Sequence, residues 1–217
     1  MKREMIQIDS FIPRSYCLSR RSEIIMRTFG ISESRLKEKF RLRVDFSFSE
    51  AEIVLIKGAS GSGKSTLLSS IKRALPEQSF ADLDDLQFSR KCSIIDCFPT
   101  FTDGMKRLAD AGLSSAWNMI KPFSALSVGE KFRFRLALAM SGKEQTIICD
   151  EFCSSLEGTQ AKLLSARIRL ETQRTRKAFI LCTTRQEIEK FLIPEVVITL
   201  SKTGRPEVQR RGGKNDS

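Results

Sequence analysis

The sequence has no histidine among its 217 residues, and only one tryptophan and one tyrosine. Its cysteines, at positions 17, 92, 97, 149, 153 and 182, include no Cys-x-x-Cys pair. Without histidine or that spacing no zinc site is expected, and the thiols read as small, reduced and buried. That usage suits a cytoplasmic compartment. Long hydrophobic runs are also missing, so no stretch is long enough to cross a bilayer. The opening stretch MKREMIQIDSF lacks the apolar core of a secretory signal. What is present is a 41% apolar and 29% charged composition. At this length that supports one compact domain, or one with a small insert.

The formal net charge is +11 and it is unevenly spread. Residues 1–43 hold 11 basic and 5 acidic side chains, and residues 202–217 hold 5 and 2. The 158 residues between them carry a net of only +2. Two basic ends on a near-neutral body could meet nucleic acid, an acidic partner or an anionic membrane surface, or could simply keep the chain soluble. Aromatics that could stack on bases are sparse there.

Periodicity divides the chain into alternating strands and helices. RLRVDFSF (41–48) alternates apolar with polar, as a half-buried strand does. EIVLIKG (52–58) is a more continuous strand, with Glu50 and Ala51 as a tight link. LLSSIKRAL has helical spacing and stops at Pro76. CSIIDCF (92–98) reads as a buried strand, and 103–121 as a short helical region. GEKFRFRLALAMSG is a helix closed by Gly142, TIICD a buried strand, 158–173 an amphipathic helix, and AFILCT and EVVITL further core strands. The expectation is an α/β fold with a three-layer core, a mostly parallel central sheet, N-terminal antiparallel strands and a helical subdomain over about 100–142. One domain is expected over 1–205, with 206–217 a basic flexible tail.

Two motifs carry chemistry. GASGSGKS (58–65) fits GxxxxGK[ST], and it stands between a strand and a helix as a phosphate loop requires. Gly58, Gly61 and Gly63 allow backbone N–H groups to face phosphate oxygens. Ser60, Ser62 and Thr66 complete the cradle at a helix N-terminus. Lys64 reaches the β- and γ-phosphates, and the Ser65 hydroxyl suits Mg²⁺. The second motif is the acidic pair ending TIICDEF. Asp150 at the strand tip would hold Mg²⁺, and Glu151 could deprotonate the attacking water.

Between these sites lies LSVGEKFRFRLALAM, which resembles the signature of the ABC ATPase superfamily, LSGGQ or LSGGE at a helix start. Leu126, Ser127, Gly129 and Glu130 match, and Val128 replaces a glycine. After the acidic pair, SSLEG is similar to the family's SALD loop, with Glu157 for aspartate. The order of motifs fits the family from about residue 29 onward. The resemblance implies binding of ATP and Mg²⁺, hydrolysis, and a head-to-tail homodimer or a dimer with a related subunit. In that dimer Ser127, Gly129 and Glu130 reach the partner's nucleotide. It also puts Phe29 near the place of an adenine-stacking aromatic.

The sequence departs from the family at several positions. The family's metal-touching glutamine, aligned through CSIIDCF, falls on Asp96. The segment between Thr66 and Leu126 is short. The histidine after the last core strand is replaced by Arg185, which is always protonated and so is not a base. Arg185 could instead sense the γ-phosphate, with Glu151 as base. These departures and the basic ends favour a soluble ATPase working with nucleic acid or a nucleoprotein complex. The alternatives are the nucleotide-binding subunit of a membrane transporter, with separate membrane subunits, and an ATP-gated dimerisation switch with little turnover.

Overall fold

The computed structural model describes residues 3–12, 16–33, 36, 40–76, 78–201 and 206–211. Its elements run β1 (Arg3–Ile12), α1 (Arg20–Thr28), β2 (Phe40–Ser49), β3 (Ile53–Gly58), α2 (Lys64–Ala74), β4 (Phe80–Asp82), α3 (Phe101–Asp110), α4 (Ala116–Met119) and α5 (Val128–Ser141). They continue with β5 (Thr146–Cys149), α6 (Gly158–Thr175), β6 (Ala178–Thr183), α7 (Glu189–Leu192), β7 (Val196–Leu200) and β8 (Glu207–Arg210). Short 3₁₀ turns lie at Ile94–Cys97 and Phe123–Ala125.

Six strands form one sheet in the order β4-β5-β6-β3-β7-β8. All neighbours in it are parallel except β7 and β8. The apolar runs are continuous because both faces are covered. Successive side chains on a strand point to opposite faces. Thus Ile53, Leu55, Phe179 and Leu181 pack with Phe134, Leu136 and Ile168 of the long helices. Val54, Ile56, Ile180 and Cys182 face the other way, against Leu67 and Ile71 of α2 and the inward residues of β1 and β2. The expected three layers, parallel sheet and helical subdomain are all present.

Three elements differ from the sequence reading. The N-terminal antiparallel pair is β1 with β2, whereas β3 belongs to the parallel sheet. Among the residues of β1 whose burial is described, Ile6 and Ile8 are the buried ones, too short a pattern to read as a strand without its partner. The stretch 92–98 forms a 3₁₀ turn outside the sheet, burying Ile94 and Phe98. A short apolar run satisfies either geometry, and tertiary packing decides between them. The strand beside β5 is instead β4, whose buried Asp82 carboxylate pairs with Lys72 of α2.

Part of the expected tail is the edge strand β8. The described basic residues there are paired: Arg210 donates to Glu52 at 2.5 Å and to the Ser47 carbonyl at 2.8 Å. Arg211 pairs with Glu189 at 2.6 Å. Residues 212–217 lie outside the described residues. Gly142 caps α5 as expected, but in an extended conformation (φ −65°, ψ 174°), not a left-handed one.

All six cysteines are free. Burial raises the Cys149 and Cys182 thiols well above the usual range, and pushes Cys153 up to about 12. Cys17 is exposed, and Cys92 and Cys97 are half-buried, which departs from the expectation of buried thiols.

Candidate functional site

A cavity of about 340 Å³ opens at the carboxyl ends of β3, β5 and β6, within the range of small-molecule sites. Strand ends of a parallel sheet are where such folds bind ligands. Its lining joins Ser60, Gly61, Gly63, Lys64, Ser65 and Thr66 to Asp150, Glu151, Ser154 and Thr184. The phosphate loop and the acidic pair, 84 residues apart between Thr66 and Asp150, therefore meet in one site.

The loop is shaped by its glycines. Gly61 (φ +75°) and Gly63 (φ +97°) adopt left-handed backbone that side chains disfavour. A Cβ at Gly58 would lie 2.4 Å from the Leu200 carbonyl oxygen and 2.6 Å from Ser62 Oγ, so no larger residue fits there. No side chain caps the start of α2 at Gly63, which suits a terminus that takes an anion. Lys64 is nearly buried, and its ammonium donates to the Gly58 and Ala59 carbonyls, each at 2.9 Å. Gly58 and Ser62 thus support the loop without lining the cavity. Ser62 Oγ is buried and has no hydrogen-bond partner among the described residues.

The acidic pair sits on a tight turn. Glu151 (φ +49°) and Cys153 (φ +61°) are left-handed, a strain of about 1–2 kcal/mol each. The turn is held to β6: Phe152 N–H donates to the Cys182 carbonyl at 2.6 Å, and the Thr183 hydroxyl to the Phe152 carbonyl at 3.1 Å. Asp150 Oδ1 accepts the Glu151 N–H at 2.8 Å, and Ser154 Oγ donates to Glu151 Oε2 at 3.4 Å. A glycine cradle, an ammonium, a hydroxyl and two carboxylates in one cavity form a donor set that fits a magnesium polyphosphate.

Comparison with known proteins agrees with that chemistry. The family described as ABC transporter matches residues 42–96. The chain resembles protein STAR1 of Oryza sativa subsp. japonica, with 30% identity over 156 residues, 58% of this chain and 45% of that protein. The zinc import ATP-binding protein ZnuC of Ruegeria sp. is 33% identical over 132 residues, 52% of each chain. In the same organism, the cytochrome c biogenesis ATP-binding export protein CcmA is 26% identical over 160 residues, 67% of this chain and 78% of that protein. The chain spans about half the length of the first two. A dimeric post-hydrolysis ATP-binding cassette bound to ADP and Pi superposes with a TM-score of 0.67 at 15% identity, covering 98% of this chain and all of that one. A dimeric bacterial ABC transporter cassette gives 0.61 at 17%, covering 82% and 94%.

The chain has the fold of ABC ATPase cassettes and resembles that family over residues 42–96.

The signature-like segment stands at the start of α5. The Ser127 hydroxyl accepts the Glu130 N–H at 3.3 Å, and the Glu130 carboxylate accepts the Ser127 N–H at 2.8 Å. This reciprocal cap satisfies two otherwise free donors. The Ser127 backbone N–H holds the Glu130 carboxyl below the usual glutamate range. The cap is therefore fully formed above that range and is lost as pH falls through the lowered value. A Cβ on Gly129 would meet Leu156 Cδ2 at 3.1 Å, so the signature packs on the loop after the acidic pair. Ser127, Gly129 and Glu130 do not line the cavity of their own subunit.

Several expected positions lie elsewhere. Phe29 ends α1, 75% exposed and outside the cavity lining. Asp96 is exposed on its 3₁₀ turn, its carboxylate taken by the Ser93 hydroxyl, and does not line the cavity either. The Arg185 guanidinium donates to the Leu156 carbonyl and pairs with Glu187 at 3.3 Å, and the cavity residue at that strand tip is Thr184.

Sequence reasoning did not assign Ser154, Thr184 or Asp84 to the site. Asp84 follows β4 and shares a second cavity, of about 370 Å³, with Asp150, Glu151 and Ser154. Its signal was the run DLDD, which reads as a solvated turn unless β4 is known to lie beside β5.

Proposed function

We propose that the cassette binds Mg-ATP in the cavity at the strand tips, hydrolyses it, and closes head to tail with a second copy or a related subunit. The observation that carries the reading is the meeting of Lys64 and Ser65 with Asp150 and Glu151 in one cavity. Bound Mg²⁺, held by Ser65 and Asp150, would neutralise phosphate charge. Lys64 exchanges the Gly58 and Ala59 carbonyls for phosphate oxygens. Glu151 takes the proton of the attacking water, with its carboxylate oriented by Ser154. Asp84, beside the acidic pair, takes the strand-end position first aligned with Asp96.

Ser127 and Gly129 sit at a helix start, which attracts an anion, yet lie outside their own cavity, so a phosphate contact requires a partner subunit. Sedimentation tests this. The full chain is expected to double in mass with Mg-ATP. Val128 is 72% exposed at the signature, so Val128→Glu should preserve the fold and ATP binding but abolish dimers by charge repulsion. A chain that stays monomeric at saturating Mg-ATP, or dimers indifferent to that change, would overturn the head-to-tail reading.

The work done by ATP is best read as transport through membrane subunits, since relatives are named for import and export. The comparisons give no support to the nucleic-acid reading. Arg185 acts on the site through the Leu156 carbonyl, tying the β6 tip to the loop against which Gly129 packs. Arg185→Ala is expected to lower turnover at least about tenfold, the loss of one charge-assisted hydrogen bond, while ATP binding persists. An unchanged rate removes Arg185 from the mechanism.

A further inference from the structure

The nine-residue helix α1, inserted between the two strands of the N-terminal sheet, has no buried residue. Ser22 and Met26 are half-buried on one face of the helix. By helical spacing Arg20, Arg21, Ile24, Ile25 and Thr28 share the opposite face. Ile24 is 59% exposed and Ile25 53%, and Leu18 just before the helix is 55% exposed. The helix is held locally by a reciprocal cap: the Ser22 N–H donates to Ser19 Oγ at 3.3 Å, and the Ser19 N–H to Ser22 Oγ at 2.6 Å. A helix this short is marginal alone in water, and isoleucine is a modest helix former. Two neighbouring exposed isoleucines on such a helix point to a surface that covers them.

We propose that this face docks on an anionic lipid bilayer. The isoleucines and Leu18 would enter the headgroup–acyl boundary, and Arg20, Arg21 and Arg27 would meet anionic headgroups. Long arginine stems allow the charge to stay at headgroup level while the aliphatic groups go deeper. Glu23 is the one acidic side chain on the helix. The surrounding residues 1–43 carry a net of +6, which adds attraction at longer range. A nucleic acid would use the arginines but leave the isoleucines in water, so the lipid surface fits more of the face. This site is separate from the nucleotide cavity and does not depend on the chemistry proposed there.

The test is co-sedimentation of the full chain with vesicles of phosphatidylcholine alone or with about 30 mol% phosphatidylserine. Binding is expected only with phosphatidylserine and should weaken as salt rises. Ile24→Ser with Ile25→Ser should reduce partitioning at least about tenfold, with an unchanged circular dichroism spectrum. Arg20→Gln with Arg21→Gln should reduce it roughly fivefold per arginine. Failure to bind either vesicle, equal binding to both, or full binding by the isoleucine variant overturns the proposal. Duplex DNA binding that survives the isoleucine changes, without vesicle binding, overturns it in favour of a nucleic-acid surface.

Discussion

Glu151→Gln is expected to leave Mg-ATP bound while slowing its hydrolysis by on the order of 10²–10⁴-fold, the usual contribution of a general base. The glutamine amide keeps the volume of the carboxylate and can still accept from Ser154, so the turn at φ +49° should persist. What it loses is the capacity to take a proton. Because ATP then survives between two subunits, the variant should accumulate as an ATP-dependent dimer. Phosphate release and sedimentation in parallel check both effects. Turnover at the parental rate would move the base away from Glu151. Asp150 does not serve as a matched control, because its carboxylate also accepts the Glu151 N–H and so shapes the turn.

Lys64→Ala should act one step earlier. Lys64 is 8% exposed, and its ammonium makes two hydrogen bonds to loop carbonyls. In the proposed function those donors pass to phosphate oxygens. Hydrogen bonds to charged groups contribute about 1.5–3 kcal/mol each, so losing two should lower ATP affinity by at least about 100-fold. Arginine is not a rescue, since its planar fork is larger and its donors diverge where the loop offers room for a point charge. Titration of nucleotide binding separates this variant from Glu151→Gln, which should bind like the parent. Equal affinity for ATP in Lys64→Ala and parent would remove the loop lysine from phosphate recognition.

Both substitutions fall in motifs that local sequence makes legible. GASGSGKS is contiguous, and its glycines, lysine and serine act within one turn of chain, so local sequence suffices to specify the loop. TIICDE is also local: an apolar strand must end where polar groups begin, and a parallel sheet aims that end at the ligand. The cavity unites these two motifs, as the sequence implied, and places Ser65 and Asp150 together.

Other residues depend on neighbours distant in the chain. Nothing within CSIIDCF distinguishes a strand from a compact turn, because both bury Ile94 and Phe98. The choice is made by β4, whose three residues hydrogen-bond to β5 and whose Asp82 is neutralised by Lys72. Arg210 and Arg211 read as a solvated tail until Glu52 and Glu189 are seen to meet them. Arg185 follows a strand tip, so its address was legible, but the direction of its side chain is set by the Leu156 carbonyl and Glu187.

The sequence by itself determined the α/β class, the phosphate-loop motif, the acidic strand end and the helix closed by Gly142, because each arises from interactions within a few residues. Only the tertiary structure decided which strand flanks β5, which side chain at the β6 tip faces the cavity, and that Asp84 rather than Asp96 lies beside the acidic pair. Those outcomes rest on pairings across long loops, where the partner, not the local pattern, selects the conformation.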